Sequence, residues 1–308
     1  MDRHTGIKVY LIAAIFSITT GFSFLAAKEA LRCAAPLESL FFRFAVAFIM
    51  ALVLAGLRII KIDFRGKSLK PLLIPAALYA GGFFGFQFFG LLYISSVEAG
   101  IIMAAQPAIT ALLAELCLKE KPNFAQRLCL IAAILATVFI SLYGNGGAGE
   151  ADPKGVLLIF LSAASMGANV VYIRWIRSDY TPAEISFVSC GLGFALYLVV
   201  ILIYGGANGT LADTLGLIAE PRFVTAVAYL GIACTMLTTL FNSYMMKYLE
   251  AVKVSVFGCA GTVITLFAGF FILHESIGPL QILCSIIILA AIVGTNYFGR
   301  TGKKDAER

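Results

Sequence analysis

Few residues of this 308-residue chain are set out for bond-making chemistry. His274-Glu275 begins like a zinc-binding helix, but Gly278 stands where a second histidine would complete the ligand pair, and the chain's other histidine is His4. Gly66-Lys67-Ser68 has the end of a phosphate-binding loop, with Lys61 in place of the glycine that would start it. The seven cysteines form no CxxC pair and lie in apolar stretches, where they act as small hydrophobes. No metal site, cofactor or catalytic group is expected. What remains is the chemistry of binding: single polar residues inside long apolar runs, each of which must find a helix partner or line a wet cavity.

The cavity candidates are Ser23, Gln87, Gln106, Asn169 and Asn242. The alternative for each is a hydrogen bond to a neighbouring helix, worth about 1 kcal/mol or less. Gln106 precedes Pro107, which removes a helical donor and predicts a kink with a freed carbonyl. Phe86, Tyr172 and Phe241 offer flat faces to an amphipathic solute, or else pack against lipid and core. Arg43 lies about 9 Å into its apolar run at 1.5 Å per residue; it snorkels outward, pairs with Glu38 or Glu98, or attracts an anionic substrate group. Glu115 is the one acidic residue well inside a run and is the candidate for proton coupling, with snorkelling as its alternative. Glu120 and Glu275 end two runs just before Pro122 and Pro279, and read as structural latches accepting donors from the next helix start. Lys28 and Arg174 are expected to fix helix ends at the interface.

The elements that must hold these residues follow from composition. Hydrophobic residues make up 60% and charged residues 13%, with a mean hydropathy of +0.94. A soluble domain carries nearly twice that charged share, so an ordinary cytosolic enzyme is excluded. Apolar runs place ten spans near 7–27, 37–57, 72–92, 97–118, 125–143, 155–175, 184–204, 223–246, 252–273 and 280–298. They are continuously apolar and lack the alternation of barrel strands, which leaves helices. The first run is long and ends at Lys28 without a cleavage pattern, so it reads as a retained span. The net charge of +6 marks no nucleic-acid surface, because the basic residues stand at the ends of runs. With the amino terminus in the cytoplasm, all but Lys28, Arg32, Arg43, Lys154 and Arg222 of the 23 Lys and Arg fall in cytoplasmic segments, and an even span count returns the carboxyl terminus there.

The chain also repeats. Residues 83–144 align without a gap on 238–299 with 15 identities in 62 positions, against about five by chance. They include Phe86/Phe241, Tyr93/Tyr248, Thr110/Thr265 and Glu120/Glu275. Earlier spans match at an offset of 146, as in Gly21/Gly167, Lys28/Arg174, Pro36/Pro182, Glu38/Glu184 and Phe41/Phe187. Five helices per copy is an odd number, so the second copy enters the membrane from the opposite side. The expected architecture is an all-α polytopic membrane protein of ten transmembrane helices, residues 1–146 and 147–308 forming two inverted five-helix repeats. Inverted repeats are a recurrent plan of secondary transporters, with the site near the midplane between halves.

At the level of motifs the chain resembles the EamA-like members of the drug/metabolite transporter superfamily. The resemblance rests on Thr20-Gly21-Phe22-Ser23-Phe24 before Lys28, on Pro36 and Arg43-Phe44, on Ser95-Ser96-Val97-Glu98-Ala99-Gly100, and on Pro107 thirteen residues before Glu120. The second half keeps His274-Glu275 but has Thr262 where Pro107 would recur. The resemblance implies a ten-helix basket around a cavity lined mainly by spans 1, 3, 4, 6, 8 and 9, moving small metabolites, often outward. The expected function is secondary active or facilitative transport of small metabolites such as amino acids across the cytoplasmic membrane by alternating access. Expected partners are a small-molecule substrate and the lipid bilayer, with protons as a candidate coupling ion. The alternative, an integral-membrane enzyme acting on a lipid-linked substrate, predicts His, Asp or Glu clustered at one membrane face.

Overall fold

The computed structural model describes residues 3–103, 105–118, 123–143, 152–176, 178–249 and 251–272, with 278–280, 282–287, 289–291 and 293–294. In chain order its helices are α1 Arg3–Cys33 and α2 Pro36–Gly56, α3 Lys70–Gly90 and α4 Ser96–Leu118. Next come α5 Phe124–Tyr143, α6 Pro153–Ile176 and α7 Pro182–Asn208. They are followed by α8 Pro221–Tyr248, α9 Ala251–Ile272 and α10 Ile282–Ala291. Helices α1–α4 and α6–α8 are long and apolar enough to cross a membrane, by length and composition. No strand occurs among the described residues.

Helix starts are fixed by side chains that bond back to the first turn. Thr181 and Glu184 exchange bonds of 2.8 and 3.2 Å at the start of α7, Ser95 and Glu98 do so at 2.9 and 3.1 Å before α4, and Asn123 and Gln126 at 2.9 and 2.8 Å before α5. At α2, the Ala35 N–H donates to Glu38 Oε2 at 3.0 Å. Glu38 and Glu98, expected as partners for Arg43, are thus spent on their own helix starts. Helix α7 ends at Gly209, whose φ of +69° is the left-handed geometry that a Cβ disfavours.

Two of these carboxylates also tie helix starts to distant loops. Glu184 accepts from Lys67 Nζ at 2.8 and 2.9 Å and from the Asp63 N–H at 3.3 Å, both in the segment after α2. Glu38 Oε1 accepts from Thr214 Oγ1 at 3.0 Å, in the segment after α7. Each helix begins where the other ends, so α2 and α7 run antiparallel. Phenylalanines join them: ring centroids of Phe41 and Phe194 are 6.0 Å apart, of Phe48 and Phe187 5.5 Å, and of Phe48 and Phe194 5.8 Å. At the 146-residue offset the first two contacts exchange with one another and the third maps onto itself.

Helices α1 and α9, and α6 and α4, show the same cross-pairing. A Cβ on Gly21 of α1 would stand 2.5 Å from Ile264 Cβ and 2.9 Å from the Gly261 carbonyl of α9. Thr265 Oγ1 donates to the Gly21 carbonyl at 2.8 Å, and Ser17 Oγ to the Phe257 carbonyl at 2.6 Å. In α6, Gly167 faces Ile109 and Thr110 of α4, the matched residues. The third span of each half contains a π-helical stretch, Leu78–Gly85 in α3 and Tyr229–Leu237 in α8. Such turns are frequent at functional sites. Helix α4 is built of two segments, Ser96–Met103 and Gln106–Leu118, parted just ahead of Pro107, where the kink was expected.

Gly21→Ala is expected to destabilise the purified protein by about 1–3 kcal/mol, because Ile264 and the facing backbone must move. Gly206→Ala, with open space around it, is expected to leave the unfolding midpoint unchanged or raised. Thermal unfolding in detergent measures both.

Candidate functional site

Helices α1, α3, α4, α6, α8 and α9 enclose a cavity of about 80 Å3, and α2 adds one residue to its wall, Arg43. Its apolar lining includes Phe16, Phe24, Phe83, Phe84, Met103 and Met166, and its polar lining includes Ser23, Gln87, Gln106, Thr238, Thr239 and Asn242. Gln87 and Asn242, each 3% exposed, are matched residues of the two halves, and both belong to the wall. The side-chain amides of Gln87, Gln106 and Asn242 make no hydrogen bond to another described residue, which leaves them to the cavity.

Arg43 is 1% exposed. Its Nε donates to Thr235 Oγ1 at 2.7 Å and its Nη2 to the Cys234 carbonyl at 3.1 Å. Both acceptors belong to the π-helical stretch of α8, where the widened turn frees carbonyls from the ordinary i→i+4 ladder. The guanidinium carbon lies 3.6 Å from the centroid of the Phe84 ring, a cation–π contact of the desolvated kind. Nη1 has no partner among the described residues. Tyr79 braces the same wall: Thr239 Oγ1 donates to its hydroxyl at 2.8 Å, and that hydroxyl lies 3.5 Å from the Thr235 carbonyl.

The remaining expected residues lie elsewhere. Asn169 Nδ2 donates to the Pro75 carbonyl at 2.7 Å, a structural bond between α6 and α3. Tyr172 packs edge-on against Trp175 at 5.4 Å, and Phe86 and Phe241 are outside the cavity wall. Glu115 pairs with Arg127 of α5, also away from the wall. Glu120 and Glu275 lie outside the described residues. Lys28 Nζ donates to the Leu91 and Ile94 carbonyls at 2.7 Å each, and Arg174 Nη1 to the Leu249 carbonyl at 3.0 Å. Ile94 and Leu249 are matched residues, so the two cations cap the carboxyl-terminal ends of α3 and α8 in the same way, where the helix dipole favours positive charge. Sequence reasoning missed Tyr79, Phe84, Thr238 and Thr239 as wall residues; for Tyr79, Thr238 and Thr239 the signal available was a hydroxyl in an apolar run near Gln87 or Asn242, and for Phe84 there was none.

Comparison with known proteins gives a consistent result. The chain matches the EamA-like transporter family over residues 7–142 and 153–297. It is 34% identical over 296 residues to the uncharacterized transporter YcxC of Bacillus subtilis (strain 168), covering 96% of this chain and 95% of that one. An uncharacterized transporter of Archaeoglobus fulgidus is 25% identical over 291 residues, with 92% and 97% covered. A crystal structure superposes with a TM-score of 0.71 at 15% identity, over 94% of this chain and 98% of the other, a likeness of fold.

Thr235→Val keeps the shape of the side chain but leaves the Arg43 Nε without its acceptor. It is expected to cost about 1.5–3 kcal/mol, the range for a hydrogen bond to a charged group. Thr235→Ser, which keeps the hydroxyl, is expected to lose less than half of that in the same thermal unfolding measurement.

Proposed function

Because the chain belongs to the EamA-like transporter family, we propose that it carries small metabolites, amino acids among them, outward across the cytoplasmic membrane by alternating access. The observation that carries this reading is the cavity itself: a mainly apolar chamber walled by helices from both halves of the chain, with three side-chain amides in its lining. Residues 1–146 and 147–308 are read as two copies of one five-helix module threaded in opposite senses, and both termini as cytoplasmic. The antiparallel α2 and α7, the reciprocal Glu38 and Glu184 ties, and the matched caps at α3 and α8 support that reading. Two such modules have outward-open and inward-open arrangements of similar energy, which a solute's contacts of a few kcal/mol can bias.

Solute exchange in proteoliposomes tests the activity. Gln87→Ala and Asn242→Ala are each expected to raise the half-saturating concentration about three- to tenfold, the loss of one hydrogen bond of about 0.5–1.5 kcal/mol. Equal flux in protein-free liposomes would defeat the transport reading. In a cysteine-free background, Lys61→Cys and Asn208→Cys are expected to react with a membrane-impermeant thiol reagent from opposite faces; labelling from one face would remove the inverted arrangement. Proton coupling through Glu115 predicts that Glu115→Gln abolishes flux driven by a pH gradient, and unchanged coupling removes that residue from the mechanism.

A further inference from the structure

We infer that the cavity recognises its solute through a carboxylate held by Arg43, with the solute's apolar body against Phe16, Phe24 and Phe83. The inference rests on the transport reading of this cavity and names its substrate class, organic anions. A guanidinium has five N–H donors. In Arg43 two of them are engaged, one on Nε by Thr235 and one on Nη2 by Cys234. The free edge is the Nη1–Nη2 pair, the fork that meets a carboxylate with two parallel bonds. Nη1 is wholly buried and without a partner among the described residues.

Among the described residues no carboxylate pairs with this charge. The ionisable groups acting on Arg43 are Tyr79, Tyr197, Cys190 and Cys234, all neutral near pH 7 at their ordinary values. No aspartate or glutamate among the described residues belongs to the cavity wall. A buried cation without a counterion is costly and persists where something else supplies the negative charge. Packing does not demand it: at the matched position of the other half stands Ser189, 2% exposed, which holds the corresponding place between helices without a charge. The amide oxygens of Gln87 and Asn242 can receive an ammonium group, so an amino acid fits through its carboxylate, while an amine lacking one meets a like charge.

The test uses three probes of nearly one shape, benzoate, benzamide and benzylamine, on the purified full-length protein in detergent, with unfolding temperature as the readout. Benzoate is expected to stabilise with an apparent dissociation constant at least tenfold below that of benzamide, and benzylamine to give no shift. Arg43→Gln is expected to abolish the preference of benzoate over benzamide. The wild-type comparison needs no variant and stands even where Arg43→Gln fails to fold. Absence of a benzoate shift, equal shifts from benzamide or benzylamine, or equal shifts from chloride or sulfate would each overturn the assignment. In proteoliposomes, benzamide moving as fast as benzoate would overturn the anion class while leaving transport intact. Benzoate binding with no flux of any solute would count against transport and uphold Arg43 as the anion site.

Discussion

Hydrocarbon offers a polar group nothing to bond to, and that single constraint orders the whole molecule. Hydroxyls and amides inside the helices reach the backbone of a neighbour: Ser17 to Phe257, Thr265 to Gly21, Ser162 to Phe83, Asn169 to Pro75 and Tyr197 to Ala80, at 2.6 to 2.8 Å. Each such bond contributes about 0.6 kcal/mol on average in a membrane. Their collective effect is to fix which helices cross and at what height. Against this background the cavity stands out as the region lined by three amides without a bond to another described residue, beside the buried and unpartnered Nη1 of Arg43.

The matched contacts show how a duplicated sequence makes a chamber. Glycines of the first span press on the fourth span of the other half, and cations at the end of the first span cap the third. Helices α2 and α7 meet through matched phenylalanines, of which Phe48 and Phe194 stack as direct counterparts. Departures from this pattern are therefore informative. Arg43 and Ser189 occupy corresponding places yet differ by a full charge, and Ser23 faces the cavity while its counterpart Asn169 is bound to Pro75.

Much of this was legible in the sequence. Twenty apolar residues span a bilayer, and the seven helices long and apolar enough to cross lie where the runs do. Polar residues in apolar runs pointed to Ser23, Gln87, Gln106 and Asn242 in the wall. The same signal also marked Asn169, because its acceptor is 94 residues away and no local pattern reveals it. Phe86 and Phe241 follow or lie near π-helical stretches, where each inserted residue turns every later side chain by about 100° relative to a 3.6-residue count. Gln87 and Asn242, the next residues in the chain, belong to the wall while Phe86 and Phe241 do not. The depth of Arg43 was readable, but its acceptors, the Thr235 hydroxyl and the Cys234 carbonyl, lie 192 and 191 residues away in the π-helical stretch of α8, a pairing that composition does not encode.

The uncompensated guanidinium has an electrical consequence. A carrier whose empty chamber is positive and whose occupied chamber is neutral feels the membrane voltage on only one limb of its cycle. A full unit charge crossing the bilayer is worth about 2.3 kcal/mol per 100 mV, so under the proposed anion site the resting potential would act on the return of the unoccupied protein, and would spare the loaded step only for a solute of net charge −1.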